Sequence, residues 1–83
     1  MKNETITLEY PFHSKSDNRE IKELTMRRPS VGDQLAAEHD SKSVGENEVR
    51  MFANLCAISP DEMKQVDLKD YRKIQDAYKS FLS

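Results

Sequence analysis

The sequence predicts an α+β domain, with an antiparallel β-hairpin over residues 4–27 followed by three or four packed helices over residues 30–82. Three observations predict it. Apolar residues alternate near the N-terminus as on a half-buried strand, and recur at steps of three and four towards the C-terminus as on a helix. Between the two regimes lies Leu24-Thr25-Met26-Arg27-Arg28-Pro29-Ser30-Val31-Gly32-Asp33. Pro29 has no N–H for a sheet ladder and holds Arg28 extended, so a strand runs up to it and not through it. Ser30 is placed to cap a helix, with Asp33 as the acid of a capping box at the positive helix end. Gly32 costs roughly 1 kcal/mol against alanine inside that first turn, which points to a close approach against its backbone.

Thr5-Ile6-Thr7-Leu8-Glu9-Tyr10-Pro11-Phe12 puts Ile6, Leu8, Tyr10 and Phe12 on one side, with Pro11 confining the strand to an edge or to its end. His13–Asn18 is polar and too long for a two-residue turn. A second strand over Arg19–Arg27 carries Leu24 and Met26 on one face with Ile21 out of phase, the signature of a bulge or a late start. The first helix, Val31–Glu38, is expected to turn Val31, Leu35 and Ala36 inward, and Asp40–Asn47 reads as a mobile loop. The second helix, about Glu46–Ala57, carries Val49, Phe52, Ala53 and Cys56 as a stripe that Met51 and Leu55 widen. Ser59-Pro60-Asp61-Glu62 starts a short helix bearing Met63 and Val66. Asp67, with Asp70 three residues on, opens the last helix, where Leu68, Tyr71, Ile74, Gln75, Tyr78, Phe81 and Leu82 form one apolar stripe.

Composition bounds the rest. Eighty-three residues make one domain, 36% apolar and 34% charged, against averages of about 45–50% and 25%. So thin a core offsets conformational entropy narrowly, which predicts surface lent to copies of the chain or to a partner. The single cysteine, Cys56, excludes an internal disulfide and a cysteine metal cluster and reads as a core residue in a reducing cytoplasm. No signal peptide and no membrane span are expected. A net charge of −2 argues against a dedicated nucleic-acid binder. Charge is uneven: residues 13–28 hold five bases and three acids, residues 29–48 five acids and one base. That asymmetry suits either head-to-tail contacts between copies or a plain solvated surface.

No catalytic pattern emerges. His13 and His39 lack metal-ligand spacing, and no nucleophile elbow or glycine-rich phosphate loop is present. The candidates are for binding. Arg27 and Arg28 either meet a phosphate or partner carboxylate, or Arg27 pairs with an acid of the hairpin or first helix. Met51, Phe52 and Leu55 of the second helix, with Tyr71, Tyr78, Phe81 and Leu82 of the last, carry more apolar surface than so small a domain covers; the surplus at Tyr78, Phe81 and Leu82 is the foremost contact candidate.

Several runs together resemble a known family. These are Ile6-x-Leu8, Glu23-Leu24-x-Met26-Arg27-Arg28-Pro29-Ser30-Val31-Gly32-Asp33, Leu55-Cys56-Ala57-Ile58-Ser59-Pro60-Asp61-Glu62, and Leu68 followed by Asp70-Tyr71. The chain resembles the tail assembly chaperones of contractile-tailed phages and Mu-like prophages over all but the His13–Asn18 turn and the Asp40–Asn47 loop. Met26 and Ser30 stand where that family often has leucine and threonine. The resemblance implies a non-enzymatic protein without cofactors, made in the host bacterial cytoplasm and absent from the mature virion. It implies that the protein binds and solubilises the tape measure protein, with tail tube subunits engaged through a longer frameshifted form, and homo-oligomerisation as a further possibility. The alternative reading is a small DNA-binding regulator or antitoxin with Arg27 and Arg28 on phosphates.

Overall fold

The computed structural model describes residues 3–39 and 41–83. In chain order it holds strands β1 (Glu4–His13) and β2 (Glu20–Met26), then helices α1 (Val31–His39), α2 (Val44–Leu55), α3 (Pro60–Lys64) and α4 (Leu68–Leu82). This is the expected α+β order of a hairpin followed by helices, with four of them. The loop expected over Asp40–Asn47 is shorter, because Ser43 caps α2 by accepting the Glu46 N–H at 3.1 Å; Asp40 itself lies outside the described residues.

The strands pair antiparallel from Glu4↔Met26 to Thr7↔Glu23, then again at Phe12↔Ile21 and His13↔Glu20. Residues 8–11 of β1 therefore face Lys22 of β2, and this bulge accounts for Ile21 being out of phase. Pro11 falls within it, where no ladder N–H is needed. The bulge also corrects the strand face: Ile6 and Leu8 are buried as expected, but Tyr10 is 51% exposed. The hairpin's far end is closed by Ser14, whose N–H donates to the Arg19 carbonyl and whose carbonyl accepts the Asn18 N–H, both at 2.8 Å. Gln65 holds this turn against the end of α3, accepting the Lys15 N–H at 3.0 Å and donating to the His13 carbonyl at 2.8 Å.

The backbone N–H groups that the bulge withdraws from the ladder must go somewhere, since a buried unpaired donor is costly. Those of Glu9 and Tyr10 donate to the two oxygens of the Asp70 carboxylate, at 2.8 and 3.0 Å. Asp70 is fully buried. Lys73 lies 3.5 Å from the same carboxylate and donates to the Thr7 carbonyl at 3.2 Å. Burial works to raise the Asp70 pKa, and the two backbone donors together with Lys73 outweigh it, holding the carboxyl below its ordinary value. This clasp sets the rotation of α4. Asp70, Ile74, Ala77 and Phe81 face inward, while Leu68 and Leu82, expected on the buried stripe, are exposed. Asp67 does cap α4 as expected, accepting the Lys69 N–H at 3.0 Å.

The first helix is rotated too. Asp33 and Ala37 face inward, whereas Val31 and Leu35 are 75% and 62% exposed and Ala36 is exposed; the Arg27–Asp33 contacts below supply the reason. Nor does anything crowd Gly32, since a Cβ there would meet only the Ser30 hydroxyl at an ordinary 3.7 Å. The core collects Ile6, Leu8, Leu24 and Met26 from the hairpin with Phe52, Leu55, Met63, Ile74 and Phe81 from the helices. Cys56 belongs to it, its thiol pushed up to about 11 by burial.

The end of α2 is less expected. Ile58 N–H donates to the Ala53 carbonyl at 3.0 Å and Ala57 N–H to the Asn54 carbonyl at 3.3 Å, a Schellman closure whose left-handed position is usually glycine. Here it is Ala57, at φ 58°. The left-handed region costs a Cβ-bearing residue about 1–2 kcal/mol, more than the entropy glycine adds to the unfolded chain. Ala57→Gly is expected to raise the urea midpoint, with a gain of about 0.5–1 kcal/mol.

Candidate partner-binding surface

The surface is set by how α1 and α4 are pinned on either side of α2. At the first junction the Arg27 guanidinium donates to both Asp33 oxygens, at 2.8 and 2.7 Å. The same carboxylate accepts the Ser30 N–H at 2.9 Å, the Ser30 hydroxyl at 3.0 Å and Asn54 Nδ2 at 3.0 Å. Asp33 N–H returns to Ser30 Oγ at 3.3 Å, which completes the expected capping box. Arg27 N–H also donates to the Leu55 carbonyl at 3.1 Å. One carboxylate therefore joins the end of β2, the start of α1 and the last turn of α2. The Arg27 guanidinium, opposed by burial and aided by the Ser30 donors, holds the Asp33 carboxyl far below the usual carboxylate range. Of the alternatives open for Arg27, pairing with an acid of the first helix is the one observed. Arg28 is exposed.

At the second junction α4 meets α2 through aromatic rings. The Phe52 ring lies 5.7 Å from Tyr71 and 5.2 Å from Tyr78, both tilted. Tyr71 donates its hydroxyl to Glu48 at 2.7 Å, and Gln75 Nε2 donates to the same oxygen at 3.0 Å. Burial, reinforced by the Glu48 carboxylate, raises the Tyr71 pKa.

Between these junctions runs a groove of about 300 Å³ with α2 as its floor. Gln34 and Glu38 of α1 form one wall, Tyr78 of α4 the other, and Val44, Asn47, Glu48, Met51 and Phe52 line the bottom. Val44 is 88% exposed. Val31 and Leu35 of α1 are exposed as well, and Leu82, 64% exposed, stands one turn beyond Tyr78.

The nine residues named from the sequence are thus distributed unevenly. Met51, Phe52 and Tyr78 come together in the groove, while Leu82 is exposed one turn further along α4. Tyr71 is half-buried behind them, and Leu55 and Phe81 are core residues. The expected surplus at Tyr78, Phe81 and Leu82 is corrected accordingly: Phe81 is buried because α4 turns it beside Ile74 and Ala77. Sequence reasoning missed the apolar surface at Val31, Leu35 and Val44 and the groove-lining Gln34, Glu38 and Glu48. Their one readable signal was Val31 and Leu35 four residues apart, which suits an inner face and an outer one equally well.

Among the described residues, no group of three or more His, Cys, Asp or Glu is placed to hold a metal ion, and no helix is long and apolar enough to cross a membrane. What the geometry assembles is an open groove, lined in part by apolar side chains, on a small pinned scaffold. Residues 5–83 match the family model described as phage tail assembly chaperone proteins, E, or 41 or 14, and the chain belongs to that family. No curated protein and no solved structure matches it.

Proposed function

We propose that this chain binds the tape measure protein during tail assembly and keeps it soluble, acting without catalysis in the host bacterial cytoplasm and leaving before the virion matures. Family membership across residues 5–83 carries the reading. The groove beside Val44, Met51, Phe52 and Tyr78 supports it physically, because an open groove of this size holds side chains and not a whole partner. Contacts of that kind suit a complex that tail tube subunits, engaged through a longer frameshifted form, must later displace. The rival DNA-binding reading has less support, since one of its two arginines, Arg27, is bound to Asp33.

Co-expression with the tape measure protein of the same phage or prophage tests this. The expected result is a soluble tape measure protein that co-purifies with this chain. Equal precipitation with and without it overturns the proposal.

A further inference from the structure

Resting on the client-binding reading above, the geometry points to one occupant for the groove between α1, α2 and α4: an amphipathic helix whose apolar stripe is flanked by lysine or arginine. The apolar part of the argument is the floor. Met51 and Phe52, themselves buried, line the groove together with Val44, which is almost fully exposed. An incoming helix lays side chains at steps of three and four into such a floor.

The charge part decides which helix. Glu38 of the α1 wall and Glu48 of the α2 floor both line the groove, and among the described residues no lysine or arginine does. Within the described residues each carboxylate is met only by neutral donors. Gln34 Nε2 donates to Glu38 at 3.3 Å, and Tyr71 Oη and Gln75 Nε2 donate to Glu48. By contrast the neighbouring Glu46 is paired with Arg50 at 3.3 Å. Among the described residues, then, two carboxylates share the lining with Val44, Met51 and Phe52 and have no cation of their own. A helix bearing lysines or arginines beside its stripe supplies them, while one flanked by acids sets like charges together.

Two synthetic helical peptides with the same leucine stripe, one flanked by lysines and one by glutamates, separate these cases by fluorescence anisotropy. The lysine peptide is expected to bind at least about tenfold more tightly at low salt, the margin shrinking as salt rises. Val44→Asp is expected to weaken it about tenfold, and Glu38→Lys to narrow the preference between the peptides. Leu68→Asp, an exposed apolar position on α4 away from the groove, is expected to leave binding unchanged. Equal binding of the two peptides, no binding of either, or loss with Leu68→Asp but not Val44→Asp overturns the assignment. The tape measure protein distinguishes the two levels. If it co-purifies with the wild-type chain and equally with Val44→Asp, the client reading stands and the groove assignment fails; if it never co-purifies, the client reading fails as well.

Discussion

Asp70→Ala is expected to remove much of the stability of this domain, about 3–5 kcal/mol. The substitution takes the acceptor from the part-buried Glu9 and Tyr10 N–H bonds, at up to about 1–3 kcal/mol each. It also strips Lys73 of its carboxylate. A chain of this length has roughly 4–12 kcal/mol in total, so the variant sits at the edge of folding. Asp70→Asn is expected to fall between, because one oxygen still accepts while the amide NH₂ faces a donor. Urea unfolding followed by circular dichroism reads both. An Asp70→Ala midpoint equal to wild type would show that the bulge finds other acceptors. The same carboxylate predicts acid sensitivity. Its folded pKa lies below the ordinary 3.8, so its stabilisation is present above that value and is lost as pH falls towards the folded one. Asp33 and Glu62 are lowered as well and add the same sign. Stability should therefore hold above about pH 5 and decline below about pH 4, less steeply in Asp70→Asn.

That residue also shows where reading the sequence stops. Asp70 lies three positions after Asp67 and reads as half of a helix cap; nothing local distinguishes a cap from a carboxylate that reaches a strand sixty residues earlier. The bulge was announced by Ile21 being out of phase, but its withdrawn N–H groups leave no mark in the pattern. Local signals were readable because their partners are near: Ser30 with Asp33, Ser59 with Glu62, and the strand stop at Pro29. Helix rotation was not, because a polar clasp sets it. Val31 and Leu35 read as a buried pair by hydrophobicity, and Asp33 displaces them by holding three elements at once. The site inherits the same division. Met51, Phe52 and Tyr78 stood out as apolar, whereas the groove walls exist only once α1 and α4 are turned.

Asp33→Ala should cost about 2–4 kcal/mol, since it removes a helix cap and an acceptor for Arg27, Ser30 and Asn54 in a single step. Arg27→Ala should cost less, about 1–2 kcal/mol. The Arg27 side chain is 45% exposed, and Asp33 keeps its Ser30 and Asn54 donors. Arg27→Lys should recover little of that, because an ammonium cannot make the two-pronged contact. A double-mutant cycle on Arg27 and Asp33, read by urea midpoint, is expected to return about 1 kcal/mol of coupling, and additivity would show the pair to be incidental. The comparison also decides what the arginine is for. Were Arg27 a contact for phosphate or a partner, Arg27→Ala would abolish binding at an unchanged midpoint. As a clamp on α1 it must lower stability first, and weaken client binding only because the Gln34 and Glu38 wall of the groove is no longer held over α2.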